Sequence, residues 1–382
     1  MSIVVFKYGS LLPTETFVRH HFELLAGGYG RFMHLDNWNT PKLGERVLWG
    51  TGLPSRALRK LRVRAGATRE DLHERAFAQA LRKVQASAVL AEFGYSGVRI
   101  LKACRQLHLP LVVHFHGAEI FRKSLLEQYA HAYKEVFSYA SSVIAVSDHM
   151  KKQLIAYSAD PDRIAVIPCG MSIPSERQIA VQRPPSERDY RIVSVTRMAE
   201  MKGPHLTLLA FHKYLSIGGH GTLHIIGDGP LLPICTSLAK GLGIAARVVL
   251  HGQLEHQTAL ELLETGHMYV QHSVVASDGV CEGMPVSIME AAGYALPIVA
   301  TKHAGISEMI VHGQDGYLVD EYDVDRMAYC MHEVFKNPER AGEMGRKARA
   351  KAVQEFDVTE QSEKLRKVIL SALERQSERS FG

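Results

Sequence analysis

The feature that most constrains this chain is a strand–helix rhythm that runs twice. Short β-branched and apolar runs at 2–7, 88–91, 111–115, 142–146 and 164–167 alternate with stretches of helical periodicity at 14–26, 70–84, 120–138 and 148–156. That is the pattern of a parallel sheet wrapped by helices, with Asp148 placed to cap the last of these helices. The rhythm then breaks at 174–189, PSERQIAVQRPPSERD, which is polar, carries prolines and has no period. It restarts with strands at 190–195, 222–226, 248–250, 268–270, 298–300 and 317–319, separated by helical stretches at 204–214, 231–242, 260–265, 285–295 and 324–335. From 339 to about 379 the chain reads as helical and charged, with Phe356, Leu365, Val368, Ile369 and Leu373 at apolar spacing.

A length of 382 residues exceeds what one core usually organises. The expected fold is α/β, with two Rossmann-like doubly wound domains at 1–175 and 190–355, a linker at 176–189, and a final helix at 356–382 packing back toward the first domain. Open parallel sheets bind ligands outside the carboxyl ends of their strands. Chemistry is therefore expected in a cleft between the two domains.

Charge separates the halves: residues 1–189 carry 26 Lys/Arg against 17 Asp/Glu, and residues 190–382 carry 19 against 23. Much of the basic excess lies in Arg56, Arg59, Lys60, Arg62, Arg64 and Arg69, interrupted by Leu58, Leu61 and Val63. Two readings stay open for this stretch: a face for an anionic membrane or a phosphorylated acceptor, or a solvated basic loop or helix. No apolar run is long enough to span a bilayer, and the first ten residues lack the organisation of a secretory signal. A cytoplasmic location, at the inner face of the cytoplasmic membrane if the basic stretch binds lipid, is expected. Five scattered cysteines without a Cys-x-x-Cys pair suggest reduced thiols rather than disulfides or zinc.

The densest motif runs from Ser273 to Thr301. A polar loop ends in Glu282-Gly283-Met284-Pro285, a helix begins with Pro285 in its first turn, and Glu290 follows about a turn and a half inside it. Free N–H groups and the positive end of a helix dipole make a phosphate site, and Gly283 permits close backbone approach. Glu282 suits sugar hydroxyls, and the two oxygens of Glu290 suit a ribose diol.

With its Glu-x7-Glu spacing inside Glu-Gly-x-Pro and Glu-Ala, the segment resembles glycosyltransferase family 4, in particular the bacterial exopolysaccharide and lipopolysaccharide assembly enzymes. The resemblance extends from about Tyr8 to Val319. It implies the GT-B fold. Val193-Ser-Val-Thr-Arg197-Met-Ala-Glu-Met-Lys202-Gly203 resembles the family's Gly-Arg-x4-Lys-Gly, with Thr196 in place of the usual glycine; Arg197 and Lys202 would neutralise the donor diphosphate. His224-Ile-Ile-Gly-Asp-Gly229-Pro resembles a family turn. Gly252, Gln253 and Leu254 match the nucleobase loop. Val112-Val-His114-Phe-His116-Gly117-Ala-Glu119 resembles Phe-His-Gly-x-Asp, which implies His116 beside the reacting sugar and Glu119 in the aspartate position. Leu12-Pro13-Thr14-Glu15-Thr16-Phe17 resembles the loop bordering the acceptor, although Thr14 serves equally as a helix cap.

The resemblance implies a retaining enzyme that moves a hexose or N-acetylhexosamine from a UDP- or GDP-sugar to a hydroxyl of a glycan or lipid-linked acceptor. Attack comes on the front face and the leaving phosphate takes the acceptor's proton, with His116 and Glu282 in catalytic positions. No metal or other cofactor is expected, since Asp160-Pro-Asp162 and Asp323-Val-Asp325 fall on connections and read as turn and cap residues. No nucleic-acid partner is expected. The rival readings are a sugar-nucleotide epimerase of the same fold and a non-catalytic nucleotide-sugar-binding protein. A dinucleotide oxidoreductase is disfavoured because the third glycine of Gly-x-Gly-x-x-Gly is missing.

Overall fold

The computed structural model describes residues 2–12, 15–36, 39–49, 53–179 and 189–381. The chain divides into two compact units: Met1–Pro168 together with Thr359–Gly382, and Cys169–Val358.

The first unit is built on an eight-stranded sheet, order β4-β3-β2-β1-β5-β6-β7-β8. The strands are β1 (Ile3–Lys7), β2 (Phe32–Leu35), β3 (Pro41–Leu43), β4 (Arg46–Val47), β5 (Ala88–Glu92), β6 (Leu111–Phe115), β7 (Ser142–Ala145) and β8 (Ile164–Val166). β1, β5, β6 and β7 are buried along their whole length, as a parallel sheet covered on both faces requires. β3 and β4 add an antiparallel edge. β1 pairs in parallel with both β2 and β5, so the strand order reverses at β1 and opens a crevice at its carboxyl end.

The second unit has six parallel strands in the order β11-β10-β9-β12-β13-β14. They are β9 (Arg191–Val195), β10 (Thr222–Ile226), β11 (Val248–Gly252), β12 (Met268–Gln271), β13 (Ile298–Thr301) and β14 (Gly316–Val319). Here the reversal lies between β9 and β12.

Leu365, Ile369 and Ala372, on one face of the helix Val358–Phe381, are fully buried among Ile3, Val5, Leu90, Val112 and Ile144 of the first unit's core. The charged C-terminal stretch is two helices, Pro338–Glu355 and Val358–Phe381. At the break, Met171 N–H donates to Phe356 O at 2.8 Å and Val358 N–H donates to Met171 O at 3.0 Å. Of the 176–189 linker, residues 180–188 lie outside the described residues.

Three local expectations are corrected. Ser147, not Asp148, caps the helix Asp148–Ala156: its hydroxyl accepts the Met150 N–H at 3.2 Å, while Asp148 is already helical. Pro285 is the N-cap of the helix Val286–Gly293, because its ψ of 114° is extended; the proline ring restrains only φ. The helix Gly94–Leu107 has no counterpart among the expected elements. Its two glycines look like helix breakers, but a Cβ at Gly94 would lie 2.3 Å from the Phe115 ring, so glycine is what lets this helix lie against β6.

Candidate active site

In the second unit the polar residues gather at the strand-order reversal. Lys202 closes a 3-10 turn, Glu200–Lys202, on the connection after β9, and Glu282 lies on the connection after β12. Lys202 Nζ is 2.6 Å from Glu282 Oε1, and both side chains are largely buried. Gln271 Nε2 and the Ser273 hydroxyl also donate to Glu282 Oε1, each at 3.2 Å. All three donors converge on one oxygen. Among the described residues Oε2 receives no hydrogen bond, which leaves it as the acceptor for a ligand hydroxyl.

The Glu282 backbone is held as firmly. Its N–H donates to His303 Nε2 at 3.0 Å, and His303 Nδ1 lies 2.6 Å from Glu321 Oε1. Since Nε2 accepts, the imidazole carries its proton on Nδ1 and donates that N–H to the carboxylate. A Cβ at Gly305 would stand 2.0 Å from the Gly283 carbonyl oxygen, so the backbones of the two turns touch. Gly283, Met284 and Pro285 are buried, and no side chain caps the helix Val286–Gly293 that follows them. Its first-turn N–H groups are thus suited to an anion.

Glu290 is buried on that helix, with Oε1 2.8 Å from Nε2 of the half-exposed His256. The hydrogen bond to Glu290 raises the His256 pKa against the opposing effect of burial. One oxygen of Glu290 is therefore already engaged by His256. Gly252 ends β11 with φ of 67°, Gln253 is exposed and Leu254 half-buried; this loop runs directly into His256. Arg197 is not brought into the Lys202–Glu282 pair: it is exposed, with its guanidinium 3.6 Å from Met201 Sδ and in no ion pair among the described residues.

In the first unit a second cluster lies at the carboxyl ends of β1, β5 and β6. His116 follows β6 and is 2.8 Å through Nε2 from Glu92 Oε2; the other oxygen of Glu92 is 2.7 Å from His21 Nδ1. Burial opposes ionisation of Glu92, but the charge of His21 and the hydrogen bonds from His116 and His21 outweigh it and hold the carboxyl well below the usual range. Glu119, in the expected aspartate position, accepts the backbone N–H groups of His116 and Gly117 at 2.7 and 3.0 Å, and so shapes the turn. Burial pushes its carboxyl up. His114 is fully buried on β6 and stacks on His21. Glu15 accepts the Leu12 N–H at 2.8 Å and pairs with the buried Lys7 at 3.0 Å, which makes it a brace for its loop. Thr14 lies outside the described residues.

Asp160 caps the 3-10 turn Pro161–Arg163, and Asp323 caps the helix Val324–Lys336 by accepting the Arg326 N–H at 2.9 Å. Both act as turn and cap residues. The sequence reading missed Gln271, Ser273, His303, Glu321 and His256 in one unit, and Lys7, His21 and Glu92 in the other. A usable signal existed for several of them: Lys7, Glu92 and Gln271 each end an otherwise apolar buried strand.

Two family descriptions account for most of the chain. "Glycosyltransferase Family 4" matches residues 36–173 and "Glycosyl transferases group 1" matches residues 175–351. The amylovoran biosynthesis glycosyltransferase AmsK of Erwinia amylovora is 30% identical over 275 residues, covering 71% of this chain and 67% of its own. This chain belongs to glycosyltransferase family 4. WcaL of Salmonella typhimurium, a glycosyltransferase named for colanic acid biosynthesis, is 26% identical over 94% of this chain and 96% of its own. Among solved structures, HepE of Anabaena in complex with UDP superposes with a TM-score of 0.74 at 19% identity, covering 97% of this chain and all of that one. The apo form of the lipopolysaccharide outer core galactosyltransferase WaaB gives 0.68 at 20% identity, covering 97% and 99%. The glycosyltransferase thus has the GT-B fold, with one doubly wound sheet in each unit.

Proposed function

We propose that this glycosyltransferase moves a hexose or N-acetylhexosamine from a UDP- or GDP-sugar to a hydroxyl of a glycan or lipid-linked acceptor in cell-surface polysaccharide assembly, retaining the anomeric configuration. The observation that carries the donor assignment is the Lys202–Glu282 pair, in which the ammonium and two neutral donors occupy Oε1 and leave Oε2 for a sugar hydroxyl. Names of relatives point the same way, as do the complexes of HepE with UDP and with UDP-glucose.

Lys202 and the first-turn N–H groups after Gly283-Met284-Pro285 would hold the diphosphate, and Arg197 would swing onto it from the surface. As the sugar–phosphate bond breaks, negative charge grows on the leaving phosphate, and fixed positive groups favour that state over the ground state. This electrostatic provision is why no metal is assigned a role. Glu290 would use its second oxygen for a ribose hydroxyl, and Gly252 to Leu254 would border the base. His116 would lie beside the reacting sugar, and the loop after β1 that carries Glu15 would border the acceptor. The departing phosphate would accept the proton of the attacking hydroxyl, so that no nucleophilic carboxylate is required.

The test is mass spectrometry of the purified chain with a panel of UDP- and GDP-sugars and a lipid-linked acceptor extract. A new glycosylated product made by the wild-type chain and not by Lys202→Met is expected. Release of free or epimerised sugar without any acceptor product would overturn the proposal.

A further inference from the structure

Glu92 is fully buried at the end of β5, and each of its oxygens meets a different imidazole, His21 Nδ1 at 2.7 Å and His116 Nε2 at 2.8 Å. An ionised carboxylate only accepts hydrogen bonds, and burying one without partners costs several kcal/mol. Both imidazoles must therefore donate: His21 carries a proton on Nδ1 and His116 carries one on Nε2. For His116 this selects the ring form whose basic lone pair is on Nδ1.

Among the described residues the surroundings supply no competing partner for Glu92. Lys7 is engaged by Glu15 at 3.0 Å and lies over the Phe93 ring at 5.6 Å. The Glu119 carboxylate is directed at the backbone N–H groups of His116 and Gly117. The His114 ring stacks 5.2 Å from that of His21 and lies tilted 4.2 Å from that of His116, and burial pushes its pKa well down. The ring of Phe17, 4.2 Å from that of His116, covers another side.

We infer that Glu92 is a positioning residue for glycosyl transfer: it locks His116 in one orientation and one tautomer, and His21 clamps Glu92 from the other side. This rests on the reading of His116 as a site residue. A buried carboxylate that accepts an imidazole N–H fixes ring orientation and tautomer in histidine-dependent catalysis elsewhere, and does not itself carry the proton away.

The experiment pairs NMR of the full chain labelled with 15N-histidine, at pH 8, with kinetics of Glu92→Gln and Glu92→Asp. Signals are assigned with His21→Gln and His116→Gln. The expected spectrum has His116 as the Nε2–H tautomer and His21 as the Nδ1–H tautomer. In Glu92→Gln the amide NH2 opposes one imidazole N–H, so the signal of His116 or of His21 should move toward the other tautomer. There kcat should fall about 100-fold, the donor KM should change less than about threefold, and UDP affinity should be kept, while Glu92→Asp recovers part of kcat. Wild-type kcat in Glu92→Gln, or the Nδ1–H form of His116 in the wild-type chain, would overturn the inference. So would one equivalent of zinc retained through dialysis and lost in His114→Gln, because ligand atoms of His21, Glu92 and His114 lie within 4.8 Å of one another and a metal would claim them. The NMR arm needs no substrate. If the proposed donor and acceptor classes were wrong, the wild-type chain would be inactive while the tautomers would still be read.

Discussion

Lys202 and Glu282, 80 positions apart in the sequence, meet at 2.6 Å because β9 and β12 are neighbours in the sheet and both residues follow the carboxyl ends of those strands. Replacing the lysine by methionine keeps its length and removes its charge. Glu282 then remains buried with only the neutral donors Gln271 and Ser273. Lys202→Met should lower kcat by about 10²- to 10³-fold, the loss typical of a missing fixed donor at a developing anion. It should also destabilise the fold by about 3 kcal/mol, because an unpaired buried charge remains. Urea unfolding together with product formation checks both; wild-type turnover in this variant would contradict the donor assignment.

Gly305 tests whether the donor loop is held by backbone contact. A methyl group there would stand 2.0 Å from the Gly283 carbonyl oxygen, which cannot yield without moving Glu282 and the start of the helix Val286–Gly293. Gly305→Ala should cost about 1–3 kcal/mol as overpacking. Nucleotide affinity measured calorimetrically should fall as well, although residue 305 carries no polar side chain. Unchanged affinity would show that the loop adapts.

The segment from Glu282 to Glu290 was readable from the sequence because its parts are local. Glu282, Gly283, Pro285 and Glu290 lie within nine positions, and a helix start fixes their mutual placement. What escaped was relational. Nothing in AVLAEFG says that Glu92 will sit between His21 and His116, which come from 71 positions before it and 24 after. Nor does the spacing of His256 and Glu290 announce their contact across 34 positions. The repeated parallel strands were visible as continuous apolar runs. β2, β3 and β4 were not, since FMHL, PKL and RV each include a polar or charged residue and form no continuous apolar run. The helix Leu53–Arg64 resolves the choice between a loop and a helix for the basic stretch, leaving its partner to experiment.

His256 and Glu290 make a pH-dependent contact. Glu290 raises the His256 pKa above its ordinary value of 6.5, so the folded state binds the proton more tightly than the unfolded chain does. The stabilisation is complete below about pH 6.5 and disappears as pH rises through the raised value. Thermal unfolding of the wild-type chain and His256→Gln should differ at pH 5.5 and converge by pH 9. A difference that stays constant with pH would assign the contact to packing alone.

The final helix should behave as part of the first unit's core. Leu365 is fully buried there, so Leu365→Ala should cost about 2–5 kcal/mol, the range for a cavity left by a buried leucine. The proposed nucleotide site reports on the second unit separately, because Lys202, Glu282 and Glu290 are all in Cys169–Val358. Native-state hydrogen exchange should therefore show protection lost in β1, β5 and β6 while β9 and β12 keep theirs. Equal loss in both sheets would mean that the two units unfold as one.

The helix Leu53–Arg64 carries five basic residues and no acidic one, with Leu58, Leu61 and Val63 exposed by 47%, 63% and 53%. No described helix is long and apolar enough to cross a membrane. A basic helix with exposed apolar side chains can instead lie on an anionic lipid surface, gaining about 1 kcal/mol from each cation close to it. Arg62→Gln with Arg64→Gln should weaken sedimentation with phosphatidylglycerol vesicles about 30-fold, two such contributions. Leu61→Asp should weaken it without changing its salt dependence much, because the apolar contribution is not screened. Neutral phosphatidylcholine vesicles should bind neither variant nor wild type. Equal sedimentation of all three proteins with anionic vesicles would place the lipid contact elsewhere on the chain.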